Sequence, residues 1–299
     1  MSELVQEIEK LKKERQAVVL AHNYQQDAVQ DIADFVGDSL ALSRYAATTR
    51  AKVVVLAGVR FMAESASILA PEKIILLPDS QAGCPLADSI DVEALRDTKA
   101  RYPDAAVVCY VNTAADVKGE SDICCTSSNA VAVVQSLPQR RILFVPDRNL
   151  ASFVARFTDK EIIPWDGACL THYRVTLDEL ERARAAHPEA EVLVHPECRP
   201  EVARAADFVG STGAILKYAR ESRSKEFLIG TEMGILHRLQ LDNPEKKFYL
   251  LSPGLVCPNM KLTSLEKIAR CLREMQPVVH VPETTRSRAY RALERMLAV

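Results

Sequence analysis

The sequence has no excess of charge of either sign: thirty-eight Lys and Arg stand against forty Asp and Glu, for a formal net charge of −2. Without a basic surface or a polybasic block, nothing advertises nucleic acid or a membrane surface as partner, and a small molecule is the default. No apolar run approaches the ~20 residues of a membrane span. Residues 1–15, MSELVQEIEKLKKER, alternate charge with Leu4, Ile8 and Leu11 at helical spacing and lack the apolar core of a signal peptide. A cytoplasmic protein is expected, in which thiols stay reduced and eight cysteines call for metal or chemistry rather than disulfides. Yet Cys-x-x-Cys occurs nowhere, which removes the zinc-ribbon, thioredoxin and ferredoxin readings. Nor is the chain disordered: at 48% hydrophobic and 26% charged it is globular and long enough for two or three small cores.

What is present is repetition. ADFVG occurs at residues 33–37 and again, letter for letter, at 206–210, with a weaker copy between. Aligning DFVGDS, DICCTS and DFVGST sets offsets of 88 and then 85 residues (Ser39 to Ser127 to Thr212). The same offsets bring VVLAHNY, VVCYVNT and VLVHPEC into register, placing His22 with Tyr110 and His195, and Tyr24 with Asn112 and Glu197. Each copy holds four short runs rich in Val, Ile and Leu separated by helical patterns, which read as buried parallel strands with crossover helices. Helix starts repeat too, at Ser2, Asp91, Thr176 and Thr263 or Ser264, and Pro103 and Pro188 end two of these helices.

Three cysteines follow the fourth strand of their copies: Cys84 in PDSQAGCPLAD, Cys169 in PWDGACLTHY and Cys257 in LSPGLVCPNMK. Loops beyond the C-terminal ends of parallel strands are where α/β domains place ligands, so a three-fold arrangement would gather these thiols at one point. Three thiolates without a fourth partner do not make a closed zinc site; they suit a [4Fe-4S] cluster whose fourth iron is free to act as a Lewis acid. Free cysteine is also a common buried residue, and it is the register that separates this trio from packing. Cys109, Cys124, Cys125, Cys198 and Cys271 lie within apolar strand or helix patterns and are expected to pack.

Polar groups cluster at the same ends. His22 with Tyr24, Tyr110 with Asn112, and His195 with Glu197 are each two residues apart at the close of a first strand, hence on one face. Ser39, Ser127, Ser211 and Thr212 close the second strands and open helical patterns, where hydroxyls and free N–H groups bind carboxylate or phosphate. The set points to a polyanionic small molecule. A structural zinc scaffold or a cluster sensor has no need of such acids and bases, whereas a hydro-lyase of another substrate using the same cluster chemistry remains open.

HNYQ, GDSL, GCPLAD, CYVNT, CTSSNA, VHPEC, GSTG, GTEMG and CPNMK, in that order from about Val18 to Lys261, resemble the quinolinate synthase family. The resemblance implies a [4Fe-4S] cluster on Cys84, Cys169 and Cys257. It implies condensation of iminoaspartate with dihydroxyacetone phosphate to quinolinate, with loss of phosphate and two waters, in NAD biosynthesis and in functional coupling to an aspartate-oxidising enzyme. It makes Tyr24, Glu197, Tyr110 and His195 the catalytic set, with Tyr24 and Glu197 handling protons and Tyr110 ordering the site. His22, Ser39, Ser127, Ser211 and Thr212 would grip carboxylate and phosphate groups. Asn112 and His195 would position the hydroxyl-bearing intermediate, and His172 would reach the same cavity. The extra Cys-x-x-Cys of some members is absent. Pattern and resemblance together give the expected fold: α/β, with three pseudo-symmetric three-layer α/β/α domains around a central cavity. Each has a small, mostly parallel four-stranded sheet; they span residues 1–87, 88–173 and 174–261, with a C-terminal helical extension at 262–299 packing back on the body.

Overall fold

The computed structural model describes residues 3–299, so the helix cap expected at Ser2 lies outside the described residues. Among the described residues, twelve strands form three separate four-stranded sheets. The first holds β1 (Ala17–His22), β2 (Phe35–Gly37), β3 (Val53–Ala57) and β4 (Ile74–Leu76). The second holds β5 (Ala105–Tyr110), β6 (Ile123–Cys125), β7 (Arg141–Val145) and β8 (Glu161–Pro164). The third holds β9 (Glu191–Val194), β10 (Phe208–Val209), β11 (Glu226–Gly230) and β12 (Lys247–Leu250). In each the order is second, first, third, fourth strand, and every strand pair is parallel. The expected α/β fold with three like sheets is therefore what the chain forms. We call the sheets with their helices units 1, 2 and 3.

The repeat is legible down to single hydrogen bonds. Asp34, Asp122 and Asp207 each accept the backbone N–H of a first-strand residue, Val19, Val107 and Val192, at 2.7, 2.7 and 2.8 Å. Each aspartate returns its own N–H to the carbonyl of that same valine. This brace fixes where the edge strand begins. In units 1 and 3 the next residue, Phe35 or Phe208, stacks on Tyr45 or Tyr218 of the following helix. Gly37 and Gly210 lie beneath those rings, where a Cβ would come within 2.9 and 2.7 Å of the phenyl edge. ADFVG is repeated because the packing is. The middle copy reads DICCT because β6 is covered by the last helix, Glu283–Ala298; Ile123, Cys124 and Cys125 are buried there.

Helix starts fall where side chains can cap them: Asp91, Thr176 and Ser264 each accept an N–H from the first turn, at Ala94, Glu179 and Lys267. Of the two residues weighed for the last cap, Ser264 does it. The helices Val92–Arg101 and Leu177–Ala186 stop just short of Pro103 and Pro188. Helix Leu265–Glu274 packs on helix Glu3–Arg15, joining Ile268, Cys271 and Leu272 to Ile8, Leu11 and Val19 in one core. Cys109, Cys124 and Cys125 lie in strands and Cys271 in a helix, as expected; Cys198 instead lies in the turn after β9, though equally buried. Among the described residues no helix is long and apolar enough to cross a membrane.

Candidate functional site

A cavity of about 180 Å³ opens where the C-terminal ends of the three sheets meet. Cys84, Cys169 and Cys257, from the loops after β4, β8 and β12, line it together, one from each unit. Every other predicted site residue lines it too, with the exception of Ser211. Ser211 is buried as the N-cap of helix Thr212–Glu221, its hydroxyl accepting the N–H of Ala214, and it is Thr212 that faces the cavity. Likewise the cap of helix Ser39–Thr48 is Asp38, with Ser39 its first residue.

The paired polar residues meet here, but not by strand alternation. β1 ends at His22, β5 at Tyr110 and β9 at Val194, so Tyr24, Asn112 and both His195 and Glu197 lie beyond their strands. A turn at each strand exit aims the pair. In units 1 and 3 the histidine organises that turn itself: Nδ1 of His22 accepts the N–H of Tyr24 at 3.1 Å, and Nδ1 of His195 accepts that of Glu197 at 3.3 Å. Both Nδ1 atoms being acceptors, these partners assign the proton to Nε2 in each ring; that of His195 donates to Ser127 Oγ at 3.1 Å.

A continuous hydrogen-bonded path crosses the cavity wall. The Tyr24 hydroxyl lies 2.6 Å from Thr231 Oγ1, which lies 2.9 Å from His172 Nε2. On the other side of that ring, His172 Nδ1 is 2.7 Å from Glu197 Oε2 and 3.3 Å from Cys169 Sγ. His172 also stacks on His195, ring centroids 4.7 Å apart. One consistent set of protons satisfies the path: Tyr24 donates to Thr231, Thr231 to Nε2, and Nδ1–H to the carboxylate. The far oxygen, Glu197 Oε1, is buried without a partner, as is Asn112 Oδ1.

Burial sets the charges. It pushes His22 down to about 4 and His195 down to about 3, so both rings are neutral at pH 7. Burial pushes Tyr24 and Tyr110 well above the usual phenol value, helped by the Glu197 carboxylate. Glu197 itself, in spite of burial that would raise it, is held below the usual range by the neighbouring His195 and His172. The site therefore offers an ionised base beside protonated phenols.

The three thiols share a local design. Burial raises all of them, Cys84 to about 12, while backbone N–H groups just downstream favour the thiolate: Ala87 and Leu86 for Cys84, His172 for Cys169, Met260 and Asn259 for Cys257. Charge on Cys84 and on its two counterparts is mutually unfavourable, so all three become thiolates together only around a cationic centre. Cys169, His172 and Glu197 bring ligand atoms within 4.8 Å of one another and could hold a single metal ion. Among the described residues that is the one such group, and the three sulfurs do not form another. One zinc ion would draw three sulfurs to about 3.8 Å apart; the trio suits a larger, multi-metal group.

Several residues at the site escaped sequence reading. Thr231 links Tyr24 to His172. Asp147 and Glu232, both fully buried, stand at matching places after β7 and β11 and accept the backbone N–H of Cys169 and Cys257, each at 3.0 Å. Lys261 pairs with Glu232, and Asp38 takes the Ser128 hydroxyl across the unit 1–unit 2 boundary at 2.6 Å. The second repeat offset, which carries Asp147 onto Glu232, was the signal that could have found two of them.

The family model described as Quinolinate synthetase A protein matches residues 6–298. A protein from Clostridium kluyveri named quinolinate synthase is 59% identical over 297 residues, 99% of this chain and 98% of that protein. Proteins of the same name from Geobacter metallireducens and Methanosarcina barkeri are 58% and 52% identical over 294 and 298 residues. They are covered to 97% and 98%, against 98% and 100% of this chain.

Proposed function

This chain belongs to the quinolinate synthase family, and on that premise we propose that its cavity condenses iminoaspartate with dihydroxyacetone phosphate to quinolinate, releasing phosphate and two waters. The observation that carries the reading is the path from Tyr24 through Thr231 and His172 to Glu197. It ends in an unpaired carboxylate oxygen in the same cavity as three cysteines from three units.

The reaction asks for repeated proton transfers: triose isomerisation, loss of phosphate, imine formation with loss of one water, and one further dehydration. Glu197, ionised and with Oε1 free, is the base that removes a proton from substrate. Tyr24, kept protonated by burial, is the acid. Because Thr231 and His172 join them in one hydrogen-bonded chain, the acid and the base are held at a fixed separation across the cavity, and one pair serves successive steps. His22 Nε2–H, Ser39 and Thr212 supply donors for carboxylate and phosphate oxygens. Asn112 Oδ1, an unpaired acceptor, orients a hydroxyl of the intermediate. His195 is braced between the Ser127 hydroxyl and the backbone N–H of Glu197, so it orients the base. Tyr110, against Glu197, packs over the bound molecule.

Cys84, Cys169 and Cys257 would hold a [4Fe-4S] cluster: soft donors, one per unit, with N–H groups at hand and too widely set for one ion. Bound there, the cluster supplies a Lewis acid that polarises a substrate oxygen or nitrogen. Anaerobic turnover tests the function. The loaded protein is expected to form quinolinate from the two substrates. Tyr24→Phe and Glu197→Gln should keep their iron and lose roughly 10²- to 10⁴-fold in rate. Wild-type protein with full iron content and no quinolinate would contradict the reading.

A further inference from the structure

Two motifs of the chain, GTEMG and CPNMK, each contain a charged residue that the chemistry above leaves unused: Glu232 and Lys261. Glu232 is fully buried after β11. Its Oε1 accepts the N–H of Cys257 at 3.0 Å, its Oε2 accepts the N–H of Gly234 at 2.7 Å, and Lys261 Nζ pairs with it at 3.0 Å. Lys261 Nζ has a second partner, the backbone carbonyl of Tyr24 in unit 1, at 2.6 Å. One ion pair thus has a candidate cluster cysteine of unit 3 on one side and the main chain of the acid Tyr24 on the other. The two backbones touch at this point, since a Cβ on Gly234 would fall 2.6 Å from the carbonyl carbon of Tyr24.

The fold does not require a charge here. The position that Asp147 and Glu232 occupy in units 2 and 3 is Val59 in unit 1, where the loop bearing Cys84 is built around an apolar residue. The position of Lys261, four residues after its cysteine, is Asp88 in unit 1 and Tyr173 in unit 2. An unpaired carboxylate in a site closed to water is strongly unfavourable, and even a well-paired one gives little stability over an apolar residue. What the pair provides beyond stability is geometry: three hydrogen bonds on the carboxylate and one on the carbonyl fix two loops of different units relative to each other.

We propose that Glu232 and Lys261 are positioning residues, a charged strut that sets the Cys257 loop and the Tyr24 turn at a fixed separation, so that the group held by the cysteines and the phenol address one substrate. The proposal rests on the roles given to Cys257 and Tyr24 above. A misplacement of an ångström at a reacting centre costs up to about 10²-fold, which is the scale of effect the strut guards against.

The test uses the anaerobically purified, iron-loaded protein, with iron content, kcat, KM and the rate at which an iron chelator strips the protein all measured. Lys261→Met and Glu232→Gln should lower kcat roughly 10- to 100-fold while KM shifts less than about threefold. Iron is expected to leave Glu232→Gln faster than wild type, and Lys261→Arg to recover most of kcat. If Lys261→Met fails to fold, Glu232→Gln and Lys261→Arg decide the matter alone. Wild-type kcat together with wild-type iron release in Glu232→Gln would overturn the strut. Tyr24→Phe, run alongside, separates the two failures: full turnover in that variant removes the functional reading of Tyr24, whereas an inactive Tyr24→Phe beside unaffected Glu232→Gln removes the strut alone.

Discussion

His22 and His195 occupy the same place in the first and third copies and do the same thing: each turns its Nδ1 back onto the N–H two residues on and presents Nε2–H forward. Tyr110, at that place in the middle copy, cannot accept in this way. This neutral state has a consequence for stability. An unfolded chain protonates its imidazoles as pH falls below about 6.5, whereas the buried rings resist until about 4 for His22 and about 3 for His195. The unfolded state therefore binds more protons across that window, and stability falls as pH falls from about 6.5 to about 4. For His22 the full effect is on the order of 3 kcal/mol. Glu197, with its depressed value, adds loss in the same direction at lower pH. Denaturant midpoints for wild type and His22→Gln at pH 7.5, 6 and 5 are expected to converge as pH falls, because the variant lacks one of the groups. A constant gap between them would mean that His22 takes up its proton at the same pH in the folded and unfolded chains.

At the scale of the element, the aspartate that opens each second strand is the most regular feature of the fold. Asp122→Ala leaves the Val107 N–H without an acceptor and is expected to cost about 1–3 kcal/mol, read as a lowered urea midpoint; no change would show that the brace is not formed. The sequence repeat announced this unit because its polar and glycine positions, Asp34 with Gly37 and Asp207 with Gly210, carry hydrogen bonds and close packing rather than mere hydrophobicity. The meeting of Cys84, Cys169 and Cys257 at one cavity was legible from the same register. His22 and Tyr24, like His195 and Glu197, do line one cavity, but not by the alternation that suggested it, since alternation along a strand has no bearing beyond its last residue. Thr231 and Lys261 were not legible, because their contacts depend on which loops of other units come opposite them, and no spacing along one copy carries that information. Asp147 and Glu232 bond within their own units, and only the offset between copies marks them.

Across the whole molecule, units 1 and 2 share one hydrophobic core with the last helix, while unit 3 keeps two clusters of its own. Unit 3 meets the others at the cavity largely through polar contacts: Thr231 to Tyr24 and His172, Lys261 to Tyr24, His195 to Ser127. The site is thus not carried by any one unit. Each contributes a thiol, and the hydrogen-bonded path from Tyr24 to Glu197 crosses all three. The claim on which the rest depends is that these three thiols together hold an iron–sulfur cluster. Iron and acid-labile sulfide should therefore be counted in protein purified without oxygen, for wild type and for Cys84→Ala, Cys169→Ala, Cys257→Ala and Cys271→Ala. The account predicts about four of each per chain in wild type and Cys271→Ala, and loss of both in the other three variants. A single zinc per chain in wild type, or a full complement of iron in Cys84→Ala, would contradict it.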